Sequence, residues 1–161
     1  HTPLYLDDMA VGDRYTSGEH AMDEAQIKAF AAQFDPQPFH LDDAAGRATL
    51  FGGLAASGWH TAAITMRLQV TTGLPIAGGI IGAGAEISWP RPTRASDVLH
   101  VVSEVMEIQP SKSKPDRGMV TVRSETRNQH GDVLQLSTVR IVVPRQPGAA
   151  TAPTAATGAA S

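Results

Sequence analysis

The chain has no cysteine. Disulfides and thiolate metal sites are therefore excluded, and a reducing, cytoplasmic location is the expectation. It has no strong charge of either sign. A formal net charge of −3 and an isoelectric point near 6.0 give no electrostatic reason to expect nucleic acid or a membrane as partner. No apolar run is long enough, or free enough of interruption, to span a bilayer. The first residues lack the basic-then-apolar order of a secretory leader. No internal repeat is present. What remains is a globular chain of 161 residues, 42% hydrophobic and 18% charged, enough for one domain with one core.

The first 22 residues read as extended segments with a turn at Val11-Gly12-Asp13. The period then changes. Ile27, Phe30, Ala31 and Phe34 fall at i, i+3, i+4 and i+7, an apolar helical stripe. Asp23 can cap that helix, with Gln26 in capping-box position. Pro36 turns Asp35 away from helical dihedrals and ends it. Residues 36–40 are predicted to be extended or turning, with Pro38 preventing a restart. A short helix capped by Asp42 is predicted over residues 43–48. Ser57 is predicted to cap a longer helix over residues 58–72. Its apolar residues cover most of its circumference, so it is expected to be buried.

From Ile80 onward the period is two. Residues 80–89, 97–108, 119–128 and 133–143 read as strands rich in β-branched residues. Residues 128–132 form a hairpin loop. Strands following strands across short loops argue for an antiparallel sheet. One long buried helix and five or six such strands give an α+β fold in which the sheet wraps around the helix, the hot-dog arrangement. The domain is expected to span residues 1–144. Residues 145–161, rich in Ala, Thr, Pro and Gly, are expected to be a flexible tail.

Chemistry concentrates in residues 34–60. Asp35 and His40 are five positions apart, too far for one helical turn. The two prolines let the chain fold back so that both side chains can face one cavity. Imidazole is the side chain most easily used as acid or base near neutral pH, and a carboxylate can orient it. The competing reading is a helix-end aspartate and a satisfied, half-buried histidine. Ser57 and Gly58 add backbone N–H groups at a helix start, where glycine lets a substrate come close. Such donors can hold a thioester carbonyl oxygen as charge develops on it. The competing reading there is an ordinary serine cap.

The runs DPQPFHLD and GGLAASGWHT resemble the MaoC-like dehydratases, relatives of the (R)-specific enoyl-CoA hydratases. The resemblance covers roughly residues 5–143. Trp89-Pro90-Arg91-Pro92, followed by Asp97-Val98-Leu99, and the Asn128-Gln129-His130-Gly131 turn support it. It implies that Asp35 and His40 are catalytic and that Gly58 is the oxyanion donor. His40 is expected as the base and Asp35 as the acid, the two titrating as a unit. Pro38, Phe39, Leu54, Ser57 and Trp59 are expected to line the substrate site. The expected reaction is reversible hydration of an enoyl-CoA to a 3-hydroxyacyl-CoA, with no metal or redox cofactor. The expected partners are an acyl-CoA substrate and a second copy of the chain. The sequence departs from the hydratase pattern at Phe34, Gln37 and Ser57. It also lacks a serine further along the helix, where only Thr61 and Thr65 stand.

Other features read as scaffold. Residues 78–84 are glycine-rich but lack GxGxxG spacing and a strand-to-helix setting. Lys112, Lys114 and Arg117 read as a solvated hairpin tip, with contact to CoA phosphates the alternative. His60 is expected on the polar side of its helix. An acyl-CoA thioesterase and a non-catalytic acyl-CoA-binding domain are the rival readings.

Overall fold

The computed structural model describes residues 2–148. Strands β1 (Arg14–Thr16) and β2 (His20–Ala21) precede helix α1 (Glu24–Phe34). Helices α2 (Pro38–Leu41), α3 (Asp43–Arg47) and α4 (Gly58–Leu68) follow, and α4 runs on as a π-helical turn, Gln69–Gly73. Strands β3 (Ile81–Ser88), β4 (Val98–Pro110), β5 (Arg117–Arg127) and β6 (Val133–Pro144) complete the fold. The six strands form one antiparallel sheet in the order β1-β4-β5-β6-β3, with β2 also paired to β4. Helix α4 lies against its inner face, as in a hot-dog fold.

The predicted helix α1 forms where its stripe placed it. Asp23 caps it by accepting the Gln26 N–H at 2.8 Å, and Ile27 and Ala31 are fully buried. The end of the stripe is not buried: Phe34 is 64% exposed. Pro38 does not prevent a restart but begins one. It occupies the first turn of α2, where a missing N–H costs nothing and the fixed φ suits a helix.

The inner face of the sheet is not uniformly apolar. Along β4, Leu99 and Val101 belong to a cluster around Ile27, Ile64 and Leu68, while Val105 belongs to a second one around Leu74, Val120 and Ile141. Buried Ser103 stands between them on the same strand. Ser124 and Thr126 on β5 continue this polar layer. Thr61 and Thr65 of α4 and Gln69 of the π-helical turn lie on the same side, all buried. The expectation of a helix buried on nearly every side is therefore corrected twice. Part of its sheet-facing side is polar, beside the apolar Ile64 and Leu68, and its other side leaves Trp59, Met66 and Val70 at 60%, 44% and 50% exposure.

The tail was expected to begin at Arg145, but Arg145 is held. Its N–H donates to the Asp116 carbonyl at 2.7 Å and its guanidinium to Asp7 at 3.1 Å. Residues 149–161 lie outside the described residues.

Candidate active site

Two backbone bonds and the Arg94 side chain bring the site together. Ala55 N–H donates to the Phe39 carbonyl at 3.1 Å, and Ala56 N–H to the Thr93 carbonyl at 2.9 Å. Arg94 donates to the carbonyls of Leu54 and Phe51. The segment leading into α4 is thus clamped between α2 and the turn after β3. Gly46 packs so closely on this segment that a Cβ there would fall 2.1 Å from the Gly53 carbonyl oxygen.

Asp35 is the C-terminal cap of α1 and His40 lies in α2. Their side chains meet, with His40 Nε2 3.3 Å from Asp35 Oδ2. The other ring nitrogen, Nδ1, lies 2.6 Å from the Ala55 carbonyl oxygen. A carbonyl only accepts, so Nδ1 carries hydrogen and, in the neutral ring, Nε2 presents its lone pair to Asp35. Phe39 packs edge-on against the imidazole at 4.6 Å and Phe51 tilts against it at 5.9 Å. His40 is only 4% exposed.

The carboxylate is held from both sides. Gln37 Nε2 donates to Oδ1 at 2.6 Å, and the Ser57 hydroxyl donates to Oδ2 at 2.6 Å. Burial works to raise the Asp35 carboxyl. The bonds from Ser57 and Gln37 and the nearness of His40 outweigh it and hold the group below its ordinary value. Two of the three departures from the hydratase pattern, Gln37 and Ser57, therefore contact the acid. Ser57 also answers the absence of a serine further along α4: the hydroxyl reaches the carboxylate from the helix cap.

Donating its hydroxyl hydrogen bond to Asp35, Ser57 Oγ also accepts the Trp59 N–H at 3.2 Å. Among the described residues, no group takes the Gly58 N–H. That donor is left at the head of α4, on the wall of a cavity of about 300 Å³. His40, Phe51, Ala56 and Thr61 line the same cavity, and residues 89–93 form its other side. A Cβ at position 58 would lie 2.7 Å from the Trp89 ring, so glycine is required for this approach.

The expected substrate-lining residues take other places. Pro38 is exposed at the start of α2. Phe39 packs on His40 and Phe51 behind the cavity wall. Leu54 is in the core, Ser57 is fully buried against Asp35, and Trp59 points outward with its edge on Trp89. Spacing alone hid this, because a helix start sends successive side chains about 100° apart. The residues that do line the cavity and were missed include Phe51, Ala56, Trp89 and Thr93. The proline-rich run after β3 was the available signal. His60 also departs from expectation. It is buried, stacked on Phe30 at 4.6 Å, and burial, with help from His20, pushes its imidazole down from the ordinary value. Lys112, Lys114 and Arg117 sit where β4 passes into β5 and line none of this cavity.

An antiparallel sheet packed on one helix, with an Asp-His pair beside the helix start, defines a hot-dog domain of the dehydratase and hydratase class. The chain belongs to the MaoC-like domain family, which matches residues 9–128. The solved MaoC-like dehydratase from Rhodospirillum rubrum is 64% identical with a TM-score of 0.88, covering 89% of this chain and 99% of that one. The unliganded (R)-hydratase PhaJ1 from Pseudomonas aeruginosa is 27% identical with a TM-score of 0.71, covering 89% of this chain and 88% of its own. The uncharacterised protein YdeM of Bacillus subtilis strain 168 is 32% identical over 129 residues, 78% of this chain and 89% of YdeM.

Proposed function

We propose that the protein reversibly hydrates an enoyl-CoA to the (R)-3-hydroxyacyl-CoA. The observation that carries this is His40 on the same cavity as an unengaged Gly58 N–H, with Asp35 3.3 Å from the imidazole. The Gly58 N–H holds the thioester oxygen and draws electron density from the β-carbon. A water held by Asp35 and His40 adds its hydroxyl to that carbon. Its proton goes to His40 Nε2, whose lone pair is open, and is shared with the carboxylate. From His40 that proton passes to the ionised Asp35 carboxylate 3.3 Å away, which delivers it to the α-carbon. Water has then crossed the double bond and the pair is back in its starting state. Dehydration is the reverse path. The side chains and one backbone donor supply every step, so the reading calls for no metal or redox cofactor.

The test is a spectrophotometric assay of the full chain with crotonyl-CoA. Loss of enoyl absorbance without free thiol is expected. Thiol release would make the protein a thioesterase, and binding without either reaction a non-catalytic acyl-CoA-binding domain.

The reading includes a cytoplasmic homodimer. Strand β3 is an edge of the sheet, and Trp59, Met66 and Val70 are exposed on α4 and its continuation. A second copy of the chain would cover them. Light scattering is expected to give twice the chain mass at micromolar concentration. A monomer with full activity would overturn the pairing.

A further inference from the structure

The sheet-facing side of α4 and its π-helical continuation presents Thr61, Thr65 and Gln69 one turn apart, each more than nine-tenths buried. Thr61 and Thr93 close the deep end of the cavity, their hydroxyls 2.8 Å apart. Behind them, Thr65 donates its single proton to the Thr61 carbonyl at 2.8 Å. The Thr126 hydroxyl, 2.6 Å away, must therefore donate to Thr65, and Gln135 Nε2 also donates to it at 3.3 Å. The Gln135 carbonyl oxygen accepts the Trp89 indole N–H at 2.9 Å. One turn on, Gln69 Nε2 donates to Ser124 at 2.8 Å and Ser103 at 3.2 Å.

This layer has two consequences for a ligand. Thr65 and the Gln135 amide are engaged by one another, so neither solicits a polar acyl group. The layer is also not an apolar channel, so an alkyl chain entering it must break buried hydrogen bonds. A second hollow of about 350 Å³ lies between α4 and β3, lined by Thr65, Gln135, Ala62 and Ile87. Trp89 borders the first cavity and Gln135 the second, and they are bonded to each other.

We propose that the Trp89–Gln135–Thr65 chain is a partition that sets acyl length, admitting crotonyl-sized groups and rejecting octenoyl-sized ones. The inference rests on the acyl-CoA reading of the cavity. Thr61 stops an alkyl chain at the deep end, and the partition closes the way along α4. Gln135→Leu removes both amide bonds at similar volume. Trp89→Leu acts at a residue 40% exposed and keeps the test open if the buried substitution does not fold.

Two measurements test it together. One is calorimetric binding of butyryl-CoA and octanoyl-CoA; the other is hydration of crotonyl-CoA and octenoyl-CoA. The wild-type chain is expected to favour the short member in both by about tenfold or more. At least one folded variant is expected to raise the long-to-short ratio by about tenfold. Equal wild-type binding of the two chain lengths, or an unchanged ratio in both folded variants, overturns the partition. Short-selective binding with no hydration supports the partition and refutes the hydratase reading. Hydration without chain preference does the reverse, and binding of neither thioester refutes both.

Discussion

Asp35→Asn is expected to lower turnover of crotonyl-CoA by about a thousandfold while the protein stays folded. The loss follows from the contacts of the carboxylate. Asp35 accepts from Gln37 on one oxygen and from Ser57 on the other, with His40 Nε2 at 3.3 Å. An amide that keeps its oxygen toward Gln37 turns its NH2 toward Ser57 and His40. It then donates to the lone pair that should receive the proton of water. Turned the other way, it meets the Gln37 amide donor to donor. Neither arrangement leaves a group that can take up and release a proton. The charged form also sets the pH behaviour. The Asp35 carboxyl is depressed relative to the unfolded chain, so its contribution to stability is fully present above the ordinary carboxylate value of about 4. That contribution is lost as pH falls through the depressed folded value. The acid limb of the wild-type rate that belongs to Asp35 accordingly lies below the ordinary range. Initial rates and a melting curve check the substitution. Activity within tenfold of wild type would remove Asp35 from the mechanism.

His40→Gln is expected to cost about as much in rate, roughly a thousandfold, with a modest loss of stability as well. The imidazole carries two separate tasks. Nδ1–H anchors the ring on the Ala55 carbonyl at 2.6 Å, and Nε2 faces Asp35. A glutamine amide can reproduce the anchor, since it also has an N–H. It cannot reproduce the second task, because an amide has no lone pair basic enough to hold a proton near neutral pH. The ring also packs against Phe39 and Phe51, and losing it removes about 1 kcal/mol of aromatic contact. A drop of a few degrees in melting temperature together with the rate loss is the expected pattern. Near-normal turnover would place the base elsewhere.

Much of the scaffold was legible before the structure. The α1 stripe, the caps at Asp23, Asp42 and Ser57, and the four long strands rest on local periodicity and local hydrogen bonds. The pairing of Asp35 with His40 was suggested by two prolines and is seen in the geometry. The cavity lining was not legible. Trp89 is 31 positions from Gly58, yet its ring occupies the space a side chain at 58 would need. Nothing in either local stretch encodes that contact. Ser57 carried a weak signal, a serine where the pattern has histidine. Its role as donor to the carboxylate depends on α1 ending above the start of α4.

The sequence by itself determined the kind of fold, the bounds of α1, the caps of α3 and α4, and the approach of Asp35 to His40, because periodicity, capping and proline act over a few residues. Only the tertiary structure decided what surrounds that pair. Packing brings the turn after β3 over the head of α4, and it turns Thr61, Thr65 and Gln69 inward onto Thr93 of that turn, hydroxyls of β4 and β5 and the Gln135 amide of β6. The hydroxyls and amides of that layer look like surface residues in the sequence. They are tolerated inside because each finds a partner there, and those partners come from segments far along the chain.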